Sequence, residues 1–173
     1  MRKTALFIFC LCSLLTTMCL IGCKITYKLN GASIDYETTK TISIEYIPIK
    51  AALVYAPLAV NFNDKLQSKY VDQTQLRLER TDGDLQISGA ITGYTLTPQA
   101  VKADAYAAQT RLTVKVKIKF VNKNNKTENF DKEFSAYRDF DASQLITDVQ
   151  DGLCNEIVDE LVEEIFNATV ANW

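Results

Sequence analysis

The sequence contains no histidine. That removes the commonest general base and the commonest transition-metal ligand together. Of the five cysteines, Cys10, Cys12 and Cys19 fall in an N-terminal leader, which leaves Cys23 and Cys154. A disulfide scaffold and a Cys/His zinc site are excluded by that arithmetic. There is no Gly-x-x-x-x-Gly-Lys phosphate loop, and no nucleophile sits in a Gly-rich elbow. After the leader, no apolar run approaches the ~20 residues that a spanning helix needs, so the body is expected to be soluble. An excess of positive charge is also missing. The formal net charge is −2, and removing a leader that carries Arg2 and Lys3 takes it to −4. That balance gives no sign of a nucleic-acid partner. These absences predict a chain that is not an enzyme, with no catalytic residues, no metal and no cofactor.

The leader itself is informative. Arg2 and Lys3 precede a mostly apolar stretch from Ala5 to Ile21, interrupted by Ser13, Thr16 and Thr17. This is a secretory signal pattern, too short and too broken for a membrane span. It ends in Leu20-Ile21-Gly22-Cys23, which resembles the lipobox of bacterial lipoproteins. The resemblance implies that the Cys23 thiol is joined to a diacylglycerol, that the signal is cut before Cys23, and that the new amino group is acylated. Each buried methylene adds roughly 0.8 kcal/mol of membrane affinity, and several chains on one residue hold firmly where one holds reversibly. Residues 1–22 therefore read as a removed signal peptide, 23–40 as a lipidated tether and lead-in, and 41–173 as one α/β sandwich domain. The 151 residues left after cleavage of the 173 suffice to bury ~68–70% of their unfolded surface. In lipoproteins of this kind an aspartate after the cysteine often signals inner-membrane retention, and an acidic run often signals surface display. Lys24 is neither, so the expected location is the periplasmic side of the outer membrane.

Along the body, Thr41–Ile47 alternates, with Ile42, Ile44 and Tyr46 on one face and Ser43 and Glu45 on the other. This predicts a half-buried strand that Pro48 ends. Pro57 suits a first helical turn, and Leu58, Phe62, Leu66 and Tyr70 then recur every four residues. Leu76 and Leu78 suggest a short extra strand. Asp82-Gly83 marks a turn. Leu85–Leu96 reads as a strand with Leu85, Ile87 and Ile91 on one face and Gly89 and Gly93 in the same phase, leaving room for a close side chain or a bulge. Residues 99–109 are Ala-rich and loop back, either as a loop or as the start of the next strand. Thr110–Val121 is the clearest strand: Leu112, Val114, Val116, Ile118 and Phe120 alternate with Arg111, Thr113, Lys115, Lys117 and Lys119. Glu128–Tyr137 is a further strand. A last helix is capped by Asp141 with Gln144 as its box partner. Its stripe runs from Leu145 through Val149, Leu153, Ile157 and Leu161 to Ile165, and acids line the opposite face. The order β-α-β-β-β-α predicts an α+β fold: two helices on one face of a four-stranded mixed, largely antiparallel sheet, with the other face polar.

That polar face carries the one candidate site. Arg111, Lys115, Lys117 and Lys119 point the same way, with neighbours two apart spaced by roughly 6.5–7 Å. Like charges so arranged repel unless countered, and an anionic ligand fits: lipid phosphates or an acidic wall on a partner. The same row also reads as a solvated face with Glu45, Asp131 and Glu133 as counter-ions, each pair worth ~0–1 kcal/mol. Cys154, beside the helix stripe, reads as a buried inert thiol.

Several motifs together resemble one family. They are the lipobox at Gly22-Cys23, the strand Thr41–Ile47, the helix after Pro57, Asp82-Gly83-Asp84-Leu85 and Ile-Thr-Gly-Tyr at 91–94. To these add Arg111-Leu112-Thr113-Val114, Phe-Ser-Ala-Tyr at 134–137, and the ending from Ile165-Phe166-Asn167-Ala168 to Asn172-Trp173. Their order is similar to that of the LptE family of lipopolysaccharide-assembly lipoproteins, in its divergent branch. The resemblance implies two helices on a four-stranded sheet, a plug inside the LptD β-barrel translocon, help in assembling that barrel, binding of lipopolysaccharide, and no catalysed reaction. The family's basic contacts near the third strand and the start of the last helix find no match in Ala103–Ala108 or Ser143–Asp148. An alternative is a periplasmic accessory lipoprotein of another transport or secretion complex, binding protein only.

Overall fold

Each long strand alternates, so each has one apolar face, and the two helices cover that face alone. The computed structural model describes residues 34–99 and 108–170. The expected signal peptide, Cys23, Lys24, most of the Ala-rich segment 99–109 and the ending Asn172-Trp173 lie outside the described residues. The elements are β1 (Thr41–Ile44), α1 (Ala56–Gln73), β2 (Arg77–Glu79), β3 (Leu85–Pro98), β4 (Gln109–Asn122), a 3-10 turn (Lys126–Glu128), β5 (Phe130–Asp141) and α2 (Ile146–Thr169). The sheet order is β2-β1-β3-β4-β5. β1 runs parallel to β2 and β3, while β3, β4 and β5 are antiparallel.

The fold is the predicted α+β arrangement with one strand more than the four expected. The fifth is β2, three residues long and exposed throughout. Leu76 beside it is buried but Leu78 within it is 41% exposed, so no alternation marked it firmly. The inner face of the sheet is apolar along its length: Leu112, Val114, Val116, Ile118 and Phe120 of β4 are buried, as are Phe134, Ala136 and Phe140 of β5. Leu58, Phe62, Leu66 and Tyr70 of α1 meet them with Ile157, Leu161 and Ile165 of α2. Each such side chain contributes about 1.5–3 kcal/mol on burial. The helices lie parallel and in step. Lys65 pairs with Asp159, Lys69 pairs with Glu163, and Asn61 donates to Asn155 at 3.2 Å. The buried Tyr70 hydroxyl meets Thr169.

Four local expectations change. The alternation of Thr41–Ile47 holds only to Ile44; Tyr46 is 60% exposed and Ile47 is fully buried. Asn63, buried on α1, causes the shift. Its amide accepts from the Ile47 N–H at 2.8 Å and donates to the carbonyls of Ile47 at 3.0 Å and Ala59 at 2.7 Å. The chain then returns to β3, where the Lys50 N–H donates to the Ile91 carbonyl at 2.8 Å. On β3, Thr92 is an extra residue: Ile91 pairs with Val116 and Gly93 with Lys115. This bulge inverts the phase, so Tyr94 turns inward and Gly93 lies against Lys115 on the outer face, not beside Ile91. Asp141 does not cap α2. It ends β5, and its carboxylate accepts from the Ser143 N–H and hydroxyl at 2.8 and 2.7 Å, while the helix starts at Ile146 with no side-chain cap. The stripe accordingly starts late, and Leu145 is exposed.

The lead-in joins the fold before residue 41. Ile34 and Tyr36 pack on the core, and Thr39 is buried. The motif Asp82-Gly83-Asp84 holds this end of β1. Asp82 takes a φ of 63°, and a Cβ on Gly83 would come within 2.5 Å of the Ser43 nitrogen. Asp84 accepts from the Lys40 and Thr41 N–H groups at 2.9 and 3.0 Å and from the Thr41 hydroxyl at 2.9 Å. The Lys40 bond first of all holds its carboxyl below the ordinary value of 3.8.

Candidate functional site

The alternation that buries Leu112–Phe120 sends Arg111, Lys115, Lys117 and Lys119 to the uncovered face of the sheet. β5 lies beside them in antiparallel register, with Asp139 opposite Arg111, Ser135 opposite Lys115, Glu133 opposite Lys117 and Asp131 opposite Lys119. Arg111 grips Asp139 with two parallel bonds, Nε to Oδ1 at 2.7 Å and Nη2 to Oδ2 at 2.8 Å. Its guanidinium also lies 3.7 Å above the Tyr137 ring centre. The hydrogen bond from Arg111 is the main reason that the Asp139 carboxyl sits below its ordinary value.

The lysines pair one step out of register. Lys115 meets Glu133 at 3.2 Å and Lys117 meets Asp131 at 3.3 Å. All four side chains are about half exposed, so each pair contributes ~0–1 kcal/mol. Among the described residues Lys119 reaches no carboxylate, and Glu45, an expected counter-ion, reaches no cation. Glu45 instead lines a small hollow with Arg80, Asp82 and Lys119. The sequence-predicted row is therefore brought onto one face, but its members differ in how far they are already neutralised.

One residue of this face was missed. Lys50 shares a hollow of about 340 Å³ with Gly89, Ala90, Thr92, Lys117, Lys119 and Asp131. Strand reading stopped at Pro48, although Ile47 and Ile49 start a second apolar alternation, in the other phase, that sets Lys50 on the opposite side.

Elsewhere the chemistry is quiet. On α2, Asp148, Asp151, Asp159, Glu160, Glu163 and Glu164 are exposed. Arg138 crosses from β5 to Glu156 at 2.8 Å and Glu160 at 2.6 Å. Among the described residues no group of histidine, cysteine or acidic side chains could hold a metal ion. No described helix is long and apolar enough to cross a membrane. Cys154 is 2% exposed, and burial is the chief cause that pushes its thiol up to about 11.

Two parallel helices on one face of a mixed sheet, with the charged face open, make a two-layer α+β domain. The LptE family model, described as lipopolysaccharide-assembly, matches residues 39–169. The chain belongs to the LptE family, the one its motifs resemble, and that family is one of non-enzymatic lipoproteins. No curated protein matches the sequence. Among solved structures, the chain is similar to a minor lipoprotein from Acinetobacter baumannii, with 13% identity, a TM-score of 0.45, and coverage of 73% of this chain and 89% of that one. It is also similar to uncharacterized lipoprotein B from Nitrosomonas europaea, with 12% identity, a TM-score of 0.48, and coverage of 73% and 79%.

Proposed function

We propose that this protein is an outer-membrane lipoprotein that plugs an LptD-like β-barrel, helps that barrel to assemble, and assists the passage of lipopolysaccharide to the outer leaflet. The lipid on Cys23 anchors it on the periplasmic side. The observation that carries this reading is the family match across 39–169, which takes in nearly all of the described fold. The open sheet face supports it. A barrel lumen is polar and wet, and a face of half-exposed ion pairs suits such a wall better than an apolar one would.

The test is affinity purification of the full-length, lipidated chain from detergent-solubilised outer membranes, with mass spectrometry of what accompanies it. A large β-barrel protein in stoichiometric amount is expected. Inner-membrane transporter subunits in place of a barrel would overturn the reading. Cys23→Ala is expected to abolish palmitate labelling and to release the protein from the outer-membrane fraction. One observation favours the alternative of an accessory lipoprotein that binds protein only. Arg111, Lys115 and Lys117 already have carboxylate partners, so this face can serve a protein surface without any polyanion.

A further inference from the structure

The cations of the outer face divide into two groups. Arg111 and Lys115 are each committed to a carboxylate beside them. Lys50 and Lys119 reach none among the described residues, and together with Lys117 they surround the hollow of about 340 Å³. They approach it from different sides. Lys50 is held by its N–H to the Ile91 carbonyl, on the far side of β3 from β4. Ala90 lies directly across from Lys117. With strands ~4.8 Å apart, the backbones at Lys50 and Lys117 are separated by about two strand spacings, while Lys117 and Lys119 are roughly 6.5–7 Å apart along β4. Between them the floor is Gly89 and Ala90. Gly89 contributes backbone alone there, because its own phase faces inward opposite Ile118, and Ala90 adds only a methyl group on the outer side.

We infer that this hollow is a subsite for a phosphate-class anion, with Lys50, Lys117 and Lys119 as its ammonium donors. Charge is the first reason. Three lysines less Asp131, which lines the same hollow, leave two positive charges, and a phosphomonoester carries about −1.5 to −2 at pH 7. The remaining charged groups nearby do not cancel this. Glu133 is taken by Lys115 and Asp82 by Lys123, while Glu45 lies in the adjoining hollow with both Arg80 and Lys119 and makes an ion pair with neither. Donor geometry is the second reason. Three separate point charges, one from beyond β3 and two from β4, suit a tetrahedral group with several acceptor oxygens, whereas a planar carboxylate is better met by an arginine fork. This inference rests on reading the open sheet face as the ligand-facing surface, but it does not require a barrel.

The experiment uses the full chain in neutral detergent and follows its backbone amide NMR signals. Inorganic phosphate is titrated against chloride at matched ionic strength. In a second arm, short-chain phosphatidic acid is titrated against phosphatidylcholine of the same chain length. Saturable shifts at Gly89, Ala90 and Lys117–Lys119 are expected. Lys50→Ala and Lys119→Ala should each weaken the response roughly tenfold, while Arg111→Ala and Lys115→Ala should stay within about twofold of wild type. Response to both phosphate probes assigns a general phosphate site, and response to phosphatidic acid alone assigns a lipid headgroup. Shifts no different from those with chloride, or equal losses in all four variants, would overturn the subsite. Circular dichroism of each variant separates lost binding from lost folding. A missing barrel in the purification above would leave this result untouched, and a silent hollow would leave the barrel reading untouched.

Discussion

The two ends of β4 carry charge of the same sign and dispose of it differently. At one end Arg111 faces Asp139 squarely, binds it twice and stacks on Tyr137. At the other end Lys119 faces Asp131 in the register but does not hold it. The cause is Ser135. It stands opposite Lys115 and offers no charge, so Lys115 takes Glu133, Lys117 takes Asp131, and the deficit is passed along to Lys119. Counting cations on a strand therefore does not tell which of them can bind a ligand. The residue across the ladder decides it.

The largest effect is expected where both ends share a foundation. Phe120 lies next to Lys119 in sequence but points inward, 1% exposed, with its ring 5.4 Å from that of Phe130. Phe120→Ala should cost about 3–5 kcal/mol, read as a shift of the urea midpoint with little change in slope. A loss well under 1 kcal/mol would mean that the inner layer is not packed as described.

Asn63 comes next, and it acts on the Lys119 end alone. Its amide satisfies both backbone groups of Ile47 inside the core, and the segment so fixed delivers Lys50 to the hollow. Asn63→Ala leaves a buried N–H and a buried C=O without partners, which should cost roughly 3 kcal/mol. Hydrogen exchange at the Ile47 amide should accelerate, while exchange around Arg111 stays as in wild type. Uniform acceleration through the sheet would instead mark Asn63 as a general core residue.

The Arg111 end has a pH signature. Because Arg111 holds the Asp139 carboxyl below its ordinary value of 3.8, the pair stabilises the fold fully above that pH. The contribution is lost as pH falls through the lower folded value. Arg111→Lys keeps the charge but loses the fork and weakens the stack. The variant should be less stable than wild type at pH 7, and the gap should narrow below about pH 3.8. A gap that does not change between pH 7 and pH 2 would show that the carboxylate plays no part. Asp84 titrates in the same direction in both proteins, so it cancels in the difference.

Much of this was readable in advance. β4 could be read because both its faces are strongly typed, and α1 because Leu58, Phe62, Leu66 and Tyr70 repeat without a break. The bulge was harder. Gly89 to Gly93 contains small or apolar residues in both phases, so an extra residue at Thr92 left no mark in the pattern. Asn63 did leave one, since it sits at helical spacing from Ala59, Leu66 and Tyr70, where a solvent-facing polar residue has no place. At the site, the row of cations was legible, but its pairing was not. Diagonal partners depend on the β4–β5 register, which the turn between those strands helps to set and which alternation within one strand does not reveal. Lys50 was hidden for a simpler reason: Pro48 ended the strand reading two residues before it.

The subtlest test repairs the ladder instead of breaking it. Ser135 is exposed and opposite Lys115, so Ser135→Asp gives Lys115 a carboxylate of its own. Glu133 is then free to return to Lys117, and Asp131 to Lys119, each directly across the strand. Stability should move by no more than about 0.5 kcal/mol, because these are surface pairs. The consequence lies in the hollow. Its two unpartnered lysines become one, and the net charge of the outer face falls by one. Phosphate-induced shifts at Gly89 and Ala90 should weaken severalfold, by roughly the amount expected for removing a single charged hydrogen bond, although no residue of the hollow has been altered. If Ser135→Asp leaves those shifts as they were, then Ser135 is not the source of the imbalance, and the availability of Lys119 must come from its own position at the end of the row.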